Sequence, residues 1–147
     1  MKTHKIALLL AAASMLAPSF AAAQEARPYT EGPVVRVSYI KTKPGMFDAY
    51  MSWVATQRKT LMEGEKKAGI ILDYKIFVAE PRGPQDADII LTVTYKNYAA
   101  LDGLDERVEV VDKTVFESRA KANAAAISRE SMREVLGSQT IRELVLK

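Results

Sequence analysis

The sequence predicts an α+β domain with the element order βαββαβ: four antiparallel strands in one sheet, with both helices packed on one of its faces. Three observations lead there. Four stretches alternate with a period of two, two others repeat apolar residues at helical spacing, and the six follow one another in that order. Strand-period and helix-period segments mixed in this way bury their apolar faces as a sheet layered against helices.

The first strand is expected from Val34 to Lys41, where Val35, Val37 and Tyr39 alternate with Arg36 and Ser38. Pro44-Gly45 ends it, and Pro44 sits where the first turn of a helix tolerates proline. A helix follows from about Met46 to Ala68, with Phe47, Tyr50, Val54, Leu61 and Ala68 at helical spacing. Arg58, Glu65 and Lys66 fall among its more polar positions, and Gly69 is placed to end it in a left-handed conformation. Ile70 to Glu80 and Asp88 to Lys96 then alternate as two strands around the turn-forming stretch Pro81 to Asp86, the pattern of an antiparallel hairpin. Asn97 to about Ala126 is helical in pattern, with a break expected at Gly103. The segment 127–137 fits either a last helical turn or extended chain, and Thr140 to Lys147 reads as the final strand. This order builds a ferredoxin-like sandwich.

The two ends frame that domain. Lys2, His4 and Lys5 precede an apolar run from Ile6 to Ala17, and Ala21-Ala22-Ala23 follows. A basic start, a short apolar centre and small residues make a signal peptide over 1–23, so an exported, periplasmic or secreted protein is expected. The apolar run is too short for a membrane span, and no membrane association is expected after cleavage. Residues 24–33, with two prolines and a glycine, are expected to form a flexible leader, and 34–147 the domain.

Cleavage removes the single histidine, and the chain has no cysteine. Thiol and imidazole catalysis, zinc or haem ligation by those groups, and disulfides are thereby excluded from the mature chain. Losing Lys2 and Lys5 leaves 19 basic against 18 acidic residues. No basic stripe remains to neutralise phosphates, so no nucleic-acid partner is expected. Asp102, Asp105, Glu106 and Asp112 lack the spacing of a calcium loop and suit the solvated start of a helix. No metal and no cofactor are expected.

Alternation sorts the strand residues into two faces. The set expected to meet the helices is Val35, Val37, Tyr39, Leu72, Tyr74, Ile76, Ile89, Leu91, Val93 and Tyr95. The opposite set, Arg36, Ser38, Ile40, Ile71, Asp73, Lys75, Phe77, Ile90, Thr92 and Thr94, mixes large apolar residues with charges. Such a face suits a partner, and pairing two sheets through it gives a two-fold homodimer.

The opening VSYIKTKPGMFDAYMSWV, a strand, Lys-x-Lys-Pro-Gly and a helix with an early aromatic, resembles the start of the dimeric α+β barrel superfamily. Its relatives include antibiotic-biosynthesis monooxygenases and NIPSNAP-like proteins, and the likeness extends over Val34 to Lys147. The tail MREVLGSQTIRELVLK is similar to a family of uncharacterised exported bacterial proteins. The resemblance implies a homodimer and a ligand pocket between sheet and helices. Haem-binding and chlorite-dismutating members use a histidine within this domain, and residues 34–147 hold none, so those activities are not implied.

Within such a pocket the candidate ligand-binding residues are Tyr39, Tyr74 and Tyr95 from three strands, Tyr50, Trp53 and Arg58 from the first helix, and Arg142. Aromatic rings with polar tips and a cation around an apolar space suit a small aromatic or acidic molecule, although rings at these spacings also suit ordinary core. Arg142 and Glu143 lie on opposite faces of the last strand, and the pattern leaves open which meets the helices. Inward, Arg142 is an anion hook and Glu143 a candidate catalytic base. A non-catalytic binding dimer is the leading expectation. A cofactor-independent monooxygenase- or isomerase-like enzyme is the alternative, and a purely structural dimer a third. Without histidine, an enzyme would need a strongly perturbed carboxylate or lysine as its base.

Overall fold

The computed structural model describes residues 27–147, so the expected signal peptide lies outside the described residues. The chain runs β1 (Tyr29–Thr42), α1 (Phe47–Trp53), a π-helical turn (Val54–Arg58), α2 (Lys59–Lys67), β2 (Asp73–Val78) and β3 (Ile89–Tyr95). A 3-10 turn (Tyr98–Leu101), α3 (Leu104–Phe116), α4 (Arg119–Met132) and β4 (Arg133–Leu146) complete it. The sheet is antiparallel with the order β2-β3-β1-β4. This is the ferredoxin-like α+β arrangement that the element order predicts.

Several boundaries differ from expectation. Strand β1 begins at Tyr29, inside the expected leader, because Tyr29, Thr30 and Glu31 pair with Leu146, Val145 and Leu144 of β4. A bulge at Gly32-Pro33 lets proline, which has no N–H to give a ladder, stay within the strand. The second helical region breaks at Gly103, as expected, and again at Glu117, whose φ of 61° is left-handed. Ser118 then caps α4 by accepting the Lys121 amide at 3.2 Å. The ambiguous segment resolves into both alternatives: helix to Met132, strand from Arg133.

One helical end matters for the site. Gly69 has φ +70°, its amide donates to Lys66 O at 3.1 Å, and the Ile70 amide donates to Glu65 O at 2.9 Å. These are the two bonds of a Schellman motif. They fix the last turn of α2 and turn Ile70 and Ile71 into the core, 6% and 2% exposed. Ile71 is therefore not on the partner face, and Leu72, expected inside, is half exposed, because 70–72 form the turn and not yet the strand.

The main correction concerns β1. Its register places Val34, Arg36, Ser38 and Ile40 opposite Tyr95, Val93, Leu91 and Ile89. Directly opposed residues share a face, and Ile40, Ile89 and Leu91 pack with Tyr50, Trp53 and Val54 of the helices. The helix-facing set of β1 is thus Val34, Arg36, Ser38 and Ile40. Val35, Val37 and Tyr39 lie on the outer face beside Thr94, Thr92 and Ile90. Arg36, Ser38 and Ile40, expected at the partner face, point the other way. For β2 and β3 the expected faces hold: Tyr74 and Ile76 sit opposite Val93 and Leu91 inside, and Asp73, Lys75 and Phe77 opposite Thr94, Thr92 and Ile90 outside.

The core is divided. One cluster joins Ile40, Ile89 and Leu91 to Tyr50, Trp53 and Val54. The other joins Tyr95 to Met62, Ile70, Ile71, Leu104 and Val111. Between them β1 presents two polar residues, Arg36 and Ser38, to the helices.

Candidate functional site

Those two residues open a cavity of about 260 Å³ between sheet and helices. Arg36 and Ser38 line it from β1, Tyr95 from β3, Arg58 from the π-helical turn, and Glu65 from α2. Met62, Leu91, Val93, Leu104 and Val108 supply apolar wall. The space is smaller than pockets for drug-sized ligands, which run to roughly 300–1,000 Å³.

The π-helical turn aims the helix. A turn closed by i→i+5 bonds takes more residues than the 3.6 of an α-helix, so everything after it lags by about one position. Tyr50, Trp53 and Val54 face the core before the turn. After it Met62 and Glu65 are the buried residues of α2, and Leu61 is only partly buried. Such wide turns recur at functional sites, and here Arg58 is its last residue.

Glu65 is 6% exposed, the one buried charged residue among those described. Its side chain takes part in no hydrogen bond or ion pair with a described residue. Burial pushes its carboxyl above the ordinary value, Asp112 adds to this, and Arg58 opposes it. Burial lowers the Arg58 guanidinium; Tyr50 opposes this, Arg133 adds to it, and Glu65 and Arg129 act in turn against and with it. Its Nε is buried without a partner. Tyr95, 4% exposed, carries the Arg36 guanidinium 5.6 Å from its ring centre. Burial pushes its phenol up, against the Arg36 charge, so Tyr95 stays a neutral donor. Two cations, a phenol and two carboxyls, Glu65 and Asp105, therefore converge on one space. That set can hold an anion and exchange a proton beside it.

Of the residues expected to bind a ligand, Arg58 and Tyr95 meet there. Tyr50 and Trp53 are core: their rings stack at 5.9 Å, the Tyr50 hydroxyl accepts from Arg133 at 3.1 Å, and Trp53 donates to Gln57. Tyr74 faces the helices but donates to Glu63 at 2.7 Å at the sheet edge. Tyr39 is on the outer face, accepting from Gln139 at 2.7 Å. Arg142 is the residue that faces the helix side, opposite Val34. It is ion-paired with Glu31 and lies 4.6 Å over the Tyr98 ring, outside the cavity. Glu143 projects from the other face and packs against Gly32, so the candidate base is not in the cavity. Arg36, Ser38 and Glu65 take the missing places. The sequence carried a partial signal for Glu65 alone: it follows Arg58 by seven residues, two helical turns along the same face, without saying that this face is buried.

The fold has solved counterparts. HapK from Hahella chejuensis matches 75% of this chain and 91% of its own at 12% identity, with a TM-score of 0.49. Protein SO0527 from Shewanella oneidensis matches 80% of this chain and 96% of its own at 13% identity, with a TM-score of 0.50. A dimeric protein of unknown function and ferredoxin-like fold from Bacteroides fragilis matches 78% and 98% at 12% identity, with a TM-score of 0.42. No protein-family model matches the chain, and no curated protein does. The chain is a ferredoxin-like α+β domain.

Proposed function

We propose that the chain is an exported homodimer that binds a small organic acid, with an apolar or aromatic body, in the cavity between sheet and helices. The observation that carries this is the pair Arg36 and Arg58, brought from a strand and a helix to one small cavity, with the Arg58 Nε buried and unpartnered. A buried donor without a partner costs about 1–3 kcal/mol, and a bound carboxylate would recover that. Apolar walls and the Tyr95 ring suit the rest of the molecule. Export rests on the signal-peptide pattern of residues 1–23. The dimer rests on the outer face, where Val35, Tyr39 and Ile90 are only partly covered and Phe77 is exposed.

Isothermal titration with benzoate, phenylpyruvate and succinate tests the pocket. Benzoate and phenylpyruvate should bind better than succinate, and Arg58→Ala should weaken them by tenfold or more. Equal heats from the parent and an Arg36→Ala/Arg58→Ala double variant would sink the reading.

A further inference from the structure

We propose that Glu65 is a catalytic acid–base group, and that the cavity interconverts the keto and enol forms of a 2-oxo acid. This rests on the acid-binding reading above and goes beyond it, from holding a ligand to moving a proton on it. The geometry is what distinguishes Glu65 from an ordinary buried glutamate. It shares a cavity with two guanidinium groups and forms an ion pair with neither, so the space between is open to a ligand. Its backbone is pinned: its main-chain carbonyl receives the Ile70 amide of the Schellman motif, and the adjacent Gly64 brings α2 tightly against Val111.

Each group then has a task. Arg36, stacked on Tyr95, receives the carboxylate, with the Tyr95 hydroxyl as a second donor. Arg58 faces the 2-oxo oxygen. The Glu65 carboxylate removes a proton from the neighbouring carbon. The C–H electron pair becomes the new carbon–carbon double bond, and the carbonyl pair moves to oxygen, where the Arg58 charge stabilises it. A proton from solvent water on that oxygen completes the enol, and Glu65 passes the proton it took from carbon to solvent, so no proton is gained or lost overall. In reverse, the Glu65 carboxylic acid returns its proton to carbon. No oxidant, reductant or metal enters this balance. A base poised above the ordinary carboxylate range is better matched to such a proton.

The groups facing Glu65 set its pH dependence. They are Arg58 from the π-helical turn, Asp105 and Asp112 from α3, Tyr95 from β3 and Arg36 from β1. Burial and Asp112 favour its protonated form and Arg58 its charged form. Activity should therefore rise with pH as Glu65 gives up its proton.

The test uses the whole described domain in D2O with phenylpyruvate as probe, following loss of its benzylic proton signal by NMR. The parent should speed this loss tenfold or more over buffer alone, with a rate that climbs with pH. Glu65→Gln should return it to the buffer rate while still binding benzoate, which has no exchangeable carbon-bound proton of this kind. Glu65→Asp, which keeps the carboxyl, should restore part of the rate and serves if the glutamine variant folds poorly. Parent protein that binds phenylpyruvate but leaves exchange at the buffer rate would overturn the catalytic role alone. Exchange that persists in Glu65→Gln would do the same. Failure to bind either acid would instead remove the acid-binding reading beneath it.

Discussion

Tyr50 has no exposed surface, yet its hydroxyl accepts from Arg133, whose guanidinium also lies 5.7 Å from the ring centre. Arg129 takes the same stance 5.4 Å over Trp53. Two arginines thus cover the stacked aromatic pair and leave Arg58, which they repel electrostatically, to the cavity. Glu65 is the residue whose chemistry reaches furthest. Its carboxyl is raised above the ordinary glutamate value of 4.5, chiefly by burial. The folded state therefore holds its proton more tightly than the unfolded chain does. Stability attributable to that proton is complete below 4.5 and is lost as pH rises through the raised value. Asp112, raised for the same reason, adds a loss of the same sign. Glu65→Gln cannot lose a proton, so its urea midpoint should fall less than the parent's between pH 4.5 and pH 8. The gap between the two should widen with pH; parallel curves would show that Glu65 is not buried as described.

At the level of elements, α2 meets α3 through a glycine. A Cβ on Gly64 would stand 2.8 Å from Val111 Cγ1, closer than carbon atoms tolerate, and Val111 is itself buried. Gly64→Ala gains up to about 1 kcal/mol of helix propensity, but forced overpacking costs about 1–3 kcal/mol. A net loss of about 1 kcal/mol should appear in urea unfolding, and Val111→Ala in the same chain should relieve the clash. How far such elements could be read from sequence depended on what their periodicity encodes. A period of two says which residues of β1 share a face, not which face meets the helices. Val35, Val37 and Tyr39 are the more apolar set, and choosing them as core was wrong because the inner set gives up Arg36 and Ser38 to a cavity. Glu65 was obscured in the same way. It stands beside Lys66 and Lys67 in a charged helix end that resembles a solvated face, and only the wide turn upstream rotates it inward.

For the molecule as a whole, the corrected faces make the sheet's outer surface more apolar than the sequence pattern suggested. Val35, Val37 and Tyr39 replace Arg36, Ser38 and Ile40 beside Ile90 and Phe77, while Asp73, Lys75, Thr92 and Thr94 stay at that face. Ile141, opposite Val35, extends the patch onto β4 and is 46% exposed; Phe77 is 48% exposed. Water is a poor neighbour for such a patch, and a second copy of the same face is self-complementary by symmetry. Light scattering behind size exclusion should give the mass of two chains for the parent. Phe77→Glu with Ile141→Glu should give one, with the far-ultraviolet spectrum retained. A parent that runs as one chain at micromolar concentration would remove the dimer from the proposal. The element order was legible because every helix and strand keeps its own period; which face of β1 stays bare was not, because alternation alone does not say which set meets the helices.

The π-helical turn carries a consequence for how such a site could arise. Its extra residue acts as a frameshift in three dimensions, leaving upstream residues in place and re-phasing everything downstream. The same residues wound as regular α-helix through Val54–Arg58 would keep Tyr50 and Trp53 in the core. It would put Leu61 where Met62 now packs and Gly64 where Glu65 now stands, carrying the carboxyl about 100° round the helix and away from the cavity. The winding of one helical turn, as much as the identity of any residue in it, decides whether a carboxyl or a glycine faces the cavity.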